Sequence, residues 1–356
     1  MASSFKPIGP SDVISTRTLL HEAIPITGTI ISGTYADGNV KNYAHGMFQS
    51  VYDYPYLSSS ANHIFDITMG YNSESSLSSS VIAAAQPAKK QNIYNQMAQL
   101  LAGYDVNGAI TKFSTGSATS DTKLNDAMFI SFSRLLGKDE IKKGSFQLTL
   151  GVNAARTAPF VKTTTITDNN AATSYKVDSP AGEYAVLYAT GNLNALGYQP
   201  CGLLYYQAGI AVLSASIFST NAGTDDGLIA GGADFLQWTA PAVSFTGALI
   251  NNEISSSANA LRNRIQLLQF NNTTELNSTI YFCRANHNEF NFSANPTYTS
   301  QSKISVKKQS TDTPVSYITT VGLYSADNVL LAVAKLSEPL RKDPTMEYTL
   351  RVRLDY

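Results

Sequence analysis

Two cysteines, one tryptophan and four histidines in 356 residues leave little raw material for redox, metal or nucleophilic chemistry. Cys201 follows Pro200 in a turn, while Cys283 ends the strand-like run Thr279–Cys283. A bridge between them stays open, but two cysteines make no disulfide framework, and reduced thiols in a chain assembled in a cytoplasm are the simpler expectation. Charge is equally scarce, at 14% of residues against roughly 25% in an average soluble protein. The net charge of −1 comes with no basic patch of the kind that binds nucleic acid. No run approaches the roughly 18 apolar residues of a membrane span, and the opening MASSFKPIGPSD lacks the apolar region of a signal peptide. Neither nucleic acid nor membrane is expected as a partner.

Motifs for chemistry are missing as well. There is no G-x-S-x-G, Walker loop or dinucleotide fingerprint, and His21, His45, His63 and His287 have no metal-ligand spacing to one another, to cysteine or to paired carboxylates. Gly227–Gly232 is glycine-rich but lacks the lysine of a phosphate loop, and Asp225-Asp226 are adjacent, a poor match to a glycosidase pair. His287-Asn288-Glu289, with Asn286 and Asn291 close by, is the best polar site, although Asx residues in loops more often cap turns. The expectation is a protein that is not an enzyme, with no catalytic residue, no metal and no cofactor.

What the chain does have is tyrosine, 20 of them, and a 43% hydrophobic content sufficient for a sizeable core. A neutral surface rich in Tyr and Asn suits large permanent interfaces, where desolvating charge is costly, though it also suits an ordinary β-rich protein. The stretch His45–Tyr56 concentrates Phe48, Tyr52, Tyr54 and Tyr56, with Pro55 blocking a helix. Such rings supply contact area at low entropy cost at interfaces, and are as often plain core. Tyr52, Tyr54 and Tyr56 are taken as interface candidates.

Strands dominate the pattern. Tyr317–Tyr324 and Val329–Leu336 flank the polar turn Ser325–Asn328, and the final segment alternates Tyr348, Leu350, Val352, Leu354 and Tyr356 against Thr349, Arg351, Arg353 and Asp355. An apolar face that reaches Tyr356 implies a docked terminus, so Arg351, Val352, Arg353, Leu354 and Tyr356 join the interface candidates. Further strands are read at Asn62–Met69, Ser145–Val152, Val161–Thr167, Tyr175–Val177, Glu183–Tyr188 and Leu236–Phe245. Leu203–Phe218 is too long for one strand and holds Gly209 midway; a hairpin, a bulged strand or a buried helix all fit. Apolar spacing at three and four predicts helices near 88–102, 124–136 and 256–270. Residues 1–20 read as an extended arm with one short turn from Val13 to Leu20, of the sort that often lies across a neighbouring subunit. The fold expected is mainly β with a few helices (α+β), a β-sandwich-like body carrying a helical hairpin. Its divisions are 1–45 (arm and first strands), 46–312 (body) and 313–356 (hairpin plus terminal strand).

The run Thr319–Leu336 resembles a hairpin found in bacteriophage tail-fibre and baseplate-associated proteins. His45–Asp66, Asn95–Asp105, Phe132–Phe146 and Ser278–Tyr298 resemble virion structural proteins of contractile-tailed phages of the marine cyanophage type. The resemblance spans most of the chain and carries no catalytic residue. It implies a virion component assembled in a host cytoplasm, at the tail baseplate or where fibres attach. Its partners would be other virion proteins and further copies of itself. A neck, collar or capsid-surface protein, a carbohydrate-binding adhesin and a polysaccharide depolymerase are the rival readings.

Overall fold

The computed structural model describes residues 5–27, 35–75, 85–116, 123–152, 162–191, 199–214, 253–293, 298–300, 303–304, 309 and 311–356. Contacts divide the chain into two compact units, Leu20–Thr274 and a second made of Met1–Leu19 with Glu275–Tyr356. The divisions expected at 45 and 312 do not coincide with these units, because the arm and the C-terminal segment group together. The strands are β1 (Val13–Thr27), β2 (Val40–Asn42), β3 (Gln49–Tyr52), β4 (His63–Tyr71), β5 (Asp126–Phe132) and β6 (Glu140–Ile141). They continue as β7 (Gln147–Val152), β8 (Lys162–Thr167), β9 (Lys176–Ser179), β10 (Gly182–Gly191), β11 (Gln199–Tyr205) and β12 (Ile210–Ser214). The last are β13 (Ile265–Ala285), β14 (Thr299–Ser300), β15 (Lys303–Ile304), β16 (Ser316–Tyr324), β17 (Leu330–Lys342) and β18 (Tyr348–Asp355). The helices are α1 (Ala85–Leu101), single turns α2 (Arg134–Gly137) and α3 (Ala171–Ser174), and α4 (Ile254–Arg262). The mainly-β class is as expected; β1 and β13 each contribute residues to both units.

In the larger unit the hydrogen-bonded order runs β13-β7-β8-β10-β11-β12-β5-β4-β3-β2. Laid flat, the steps from β13 to β5 would hold these strands about 29 Å apart, at roughly 4.8 Å per strand. Yet the Phe132 ring at the end of β5 lies 5.1 Å from Phe270 in β13 and 6.0 Å from Phe146 beside β7. The sheet is therefore curled back on itself, and the sandwich-like body is one twisted antiparallel sheet whose limbs pack face to face. Two helices cover it. On one face α1 lies so close to β4 that a Cβ on Gly70 would sit 2.6 Å from the Lys90 carbonyl and 2.7 Å from the Tyr94 nitrogen. Gln49 points to the opposite face from Ser50, which pairs with Asp66 on the α1 side. There its amide donates to Asn259 of α4 at 2.9 Å.

The helix expected at 124–136 is instead β5 followed by the turn α2, so there is no helical hairpin. Leu124, Met128, Phe132 and Leu135 have helical spacing, but Ala127–Ile130 are all buried because β5 is flanked by β4 and β12 and covered on both faces. A strand buried on both faces shows no alternation, so its period is unreadable. The helix expected at 256–270 is α4 only as far as Arg262. A bulge against β7 then brings Ile265 and Leu268, three residues apart, to the same buried side, imitating a helix. Of the run Leu203–Phe218, the described part to Ser214 belongs to the β11–β12 hairpin, turning at Gly209 with φ +65°. The turn expected from Val13 to Leu20 is the strand β1, preceded by a short turn at Pro10–Asp12. The strand expected at Leu236–Phe245 lies outside the described residues.

Candidate interaction surfaces

In the smaller unit, β18 pairs along its whole length with β13, from Tyr348 opposite Ala285 to Asp355 opposite Ser278. The alternation is real: Val352 is buried, while Arg351 and Arg353 are exposed. The terminus is docked to its last residue, since Tyr356 donates its N–H to the Asn277 carbonyl at 2.8 Å and accepts the Asn277 N–H at 3.0 Å. Its ring is another matter. Tyr356 is 72% exposed, with its hydroxyl 3.1 Å from that of Thr279. Arg353 is spent within the unit, donating to Asp355 at 2.7 Å and Ser278 at 3.0 Å, whereas Arg351 has no ion-pair partner among the described residues. Hydrogen bonds from Ser278 and then from Arg353 hold the Asp355 carboxyl below its ordinary range. Among the described residues β18 has one neighbour, so its other edge presents unpaired backbone groups.

The N-terminal arm lies along its own chain. Lys6 donates to Glu289 at 2.5 Å, Arg284 to Asp12 at 2.7 Å, and Arg17 pairs with Glu275. Each such exposed pair contributes little, but the three fix one antiparallel register. The hydrogen bond from Lys6, then the Asn286 N–H, hold the Glu289 carboxyl below its ordinary value. A depressed folded pKa contributes stability above the unfolded pKa, lost as pH falls through the lowered value. Hydrogen exchange at residues 5–12, corrected for its intrinsic rate, should therefore accelerate on acidification through that range. Lys6→Met should exchange fast already at pH 7. Equal protection in both chains at pH 7 would count against the tether.

The polar loop at Asn286–Asn291 is a cation site whose cation is the chain's own. Lys342, fully buried, donates to Asn291 Oδ1 at 2.6 Å, the Asp343 carbonyl at 2.9 Å and the His287 carbonyl at 3.3 Å. An ammonium has three protons to give, and all three are placed. His287 turns its ring outward to Glu347 at 3.1 Å. Nothing in the local sequence marks this, because the donor lies 51 residues from its side-chain acceptor. Lys342→Met should cost about 2 kcal/mol by stranding two buried acceptors and one part-buried one, read by chemical denaturation. A change under about 0.5 kcal/mol would show that the cage contributes nothing.

In the larger unit the aromatic stretch forms an open face beside β3 and β4. Tyr43 stacks on His45 at 5.1 Å, and both meet Phe48, at 4.8 and 5.0 Å. Tyr52 meets His63 edge-on at 5.6 Å and Tyr56 at 6.5 Å. Asp66 Oδ1 accepts from Ser50 at 2.5 Å and contacts His63 Nε2 at 2.8 Å. This is no nucleophile–base arrangement, because serine and histidine share one carboxylate oxygen instead of bonding each other. Burial first, then Tyr43 and Asp66, push the Tyr52 hydroxyl up. Asp53 closes the loop by accepting the Asn62 N–H at 2.6 Å and its amide at 2.9 Å. Of the three candidate tyrosines, Tyr52 is half-buried, while Tyr54 and Tyr56 face solvent with Leu57, which is 85% exposed.

Both cysteines are free; burial pushes the Cys201 thiol up, the opposite of an activated nucleophile. Among the described residues no three of His, Cys, Asp and Glu come together as metal ligands, and Asp225, Asp226 and Gly227–Gly232 lie outside those residues. No helix of the described residues is long and apolar enough to cross a membrane. Comparison with family models, with curated proteins and with solved structures finds no match.

Proposed function

We propose that this chain is a non-enzymatic structural protein of a phage virion, at the tail baseplate or a fibre-attachment point, acting through interfaces between subunits. Its partners are other virion proteins and further copies of itself, with no nucleic acid or membrane among them. The observation that carries the reading is the terminal strand: docked to its last residue, it leaves one edge, Arg351 and the Tyr356 ring turned outward. An edge of this kind is a template for strand addition by a neighbour. The low charge and the sequence resemblance in Thr319–Leu336 point the same way. Immunogold labelling of particles tests it. Label at the distal tail is the expected result; label at the neck or over the head keeps the structural class and moves its place; absence from particles overturns the reading.

A carbohydrate-binding adhesin is the second reading, favoured by the face of Tyr43, His45, Tyr52 and Tyr56 beside Asp66. Rings of this kind stack on sugar C–H faces while a carboxylate accepts from hydroxyls. A glycan array probed with the purified chain decides it, and a signal that survives Tyr56→Ala would sink this site.

A further inference from the structure

Among its described residues the smaller unit contains almost no hydrophobic core. The contiguous core cluster lies wholly in the larger unit, from Tyr35 to Phe270. Among the described residues of the smaller unit, the buried apolar side chains are Ala285, Leu323 and Val352. The same unit exposes large apolar groups densely, above all on the β16–β17 ribbon, an antiparallel pair to which no third strand is joined among the described residues. A two-stranded ribbon is marginal in water unless one of its faces is covered.

The ribbon's two faces differ. Val321, Leu323, Ala332 and Ala334 share one side through their register and are half-buried or buried. The other side carries Tyr324 opposite Leu330 and Gly322 opposite Val333, with Leu331 at the bulge beside them. Tyr324 is 44% exposed, Leu330 48%, Leu331 68% and Val333 52%. Gly322 keeps this side flat, since a Cβ there would meet the Tyr324 ring at 2.9 Å and Leu330 at 3.4 Å. Among the described residues Phe5 is the one ring packed against it, 4.5 Å from Tyr324. Val329 in the adjoining turn extends the exposed apolar surface, at 59%, whereas Tyr317 falls on the Val321 side by alternation. With about 200 Å² for each large side chain, Tyr324, Leu330, Leu331, Val333 and Val329 leave on the order of 540 Å² of apolar surface in water. That lies at the upper end for the largest patch of a typical monomer and is about two thirds of the roughly 800 Å² that each partner contributes to a stable interface.

We propose that a second copy of this chain covers this surface, the two ribbons packing face to face about a two-fold axis. The apolar area supplies the larger part of what such a dimer needs, and the charge permits it. Ser316–Leu340 holds only Asp327, Lys335 and Glu338, so a copy meets no block of like charge. A two-fold contact requires a self-complementary surface, which a flat, nearly neutral apolar face is. The dimer deepens the structural reading above and rests on it only for the view that the chain works within an assembly.

The test uses the full chain and its mass in solution by light scattering and sedimentation. The expected result is a dimer, or a multiple of it, at micromolar concentration. Replacing Tyr324, Leu330 and Val333 together by Thr, which keeps strand propensity, is expected to weaken association at least a hundredfold. Val333→Cys in a Cys283→Ser chain is the second variant: a short bis-maleimide should join two copies through position 333. A wild-type monomer up to about 100 μM, an unchanged mass in the Thr variant, or no cross-link through 333 would each overturn the proposal. A monomer that still labels phage tails overturns the dimer alone, whereas a dimer absent from particles overturns the virion reading alone.

Discussion

Phe132→Ala should remove about 4 kcal/mol from the stability of the larger unit. The ring is 6% exposed and packs between Phe65, Phe146 and Phe270, at 6.5, 6.0 and 5.1 Å. Those partners come from strands at opposite ends of the curled sheet, so they cannot close on the cavity by a local shift. Phe→Ala in such a setting typically costs 3–5 kcal/mol, transfer and cavity together. Urea denaturation followed by far-ultraviolet circular dichroism measures it. A loss below about 1.5 kcal/mol would mean that the limbs do not depend on this contact and that the curl is held elsewhere. Because the chain has two compact units, the transition has to be assigned to the larger one before a single free energy is quoted.

Val352→Asp should cost on the order of 3–4 kcal/mol at pH 7 and abolish incorporation into any assembly that uses the terminal strand. Val352 is 8% exposed on the inner side of β18, opposite Tyr281, in a unit with few other buried apolar groups to compensate. An aspartate buried there has its pKa raised by desolvation, so its destabilising effect is smallest below the unfolded carboxyl value and grows as pH rises through the folded one. Stability measured at pH 4 and pH 7 should therefore diverge between variant and parent. Normal assembly of the variant, with no pH dependence, would show that β18 is not buried against its sheet.

Where one local period sufficed, the chain declared its own structure. Tyr348–Asp355 alternates because one side of β18 is covered and the other wet, and that alternation is present in the residues themselves. The Ile93 and Leu101 stripe of α1, with Gly103 at φ +78° closing it, was equally plain, although Leu100 and Tyr104 proved exposed. The interface candidates are legible in part: Arg351 faces outward as its period demands, whereas Tyr356, on the Val352 side by the same period, is 72% exposed, and Tyr52 is half-buried against His63.

Tertiary structure decided the rest, and the reason is distance along the chain. Whether Asp126–Phe132 is strand or helix depends on β4 and β12 lying on either side, which erases the period that would have identified it. The bulge that puts Ile265 and Leu268 on one side exists only against β7. Lys342 is buried because acceptors at His287 and Asn291 reach it across half a hundred residues, and an isolated lysine next to Asp343 carries no sign of that. The apolar run Val329–Leu336 was readable as a strand from its composition, but composition cannot say whether a strand's apolar side is covered. That is a property of its neighbours, and here the ribbon's outer side has none within the described chain beyond Phe5.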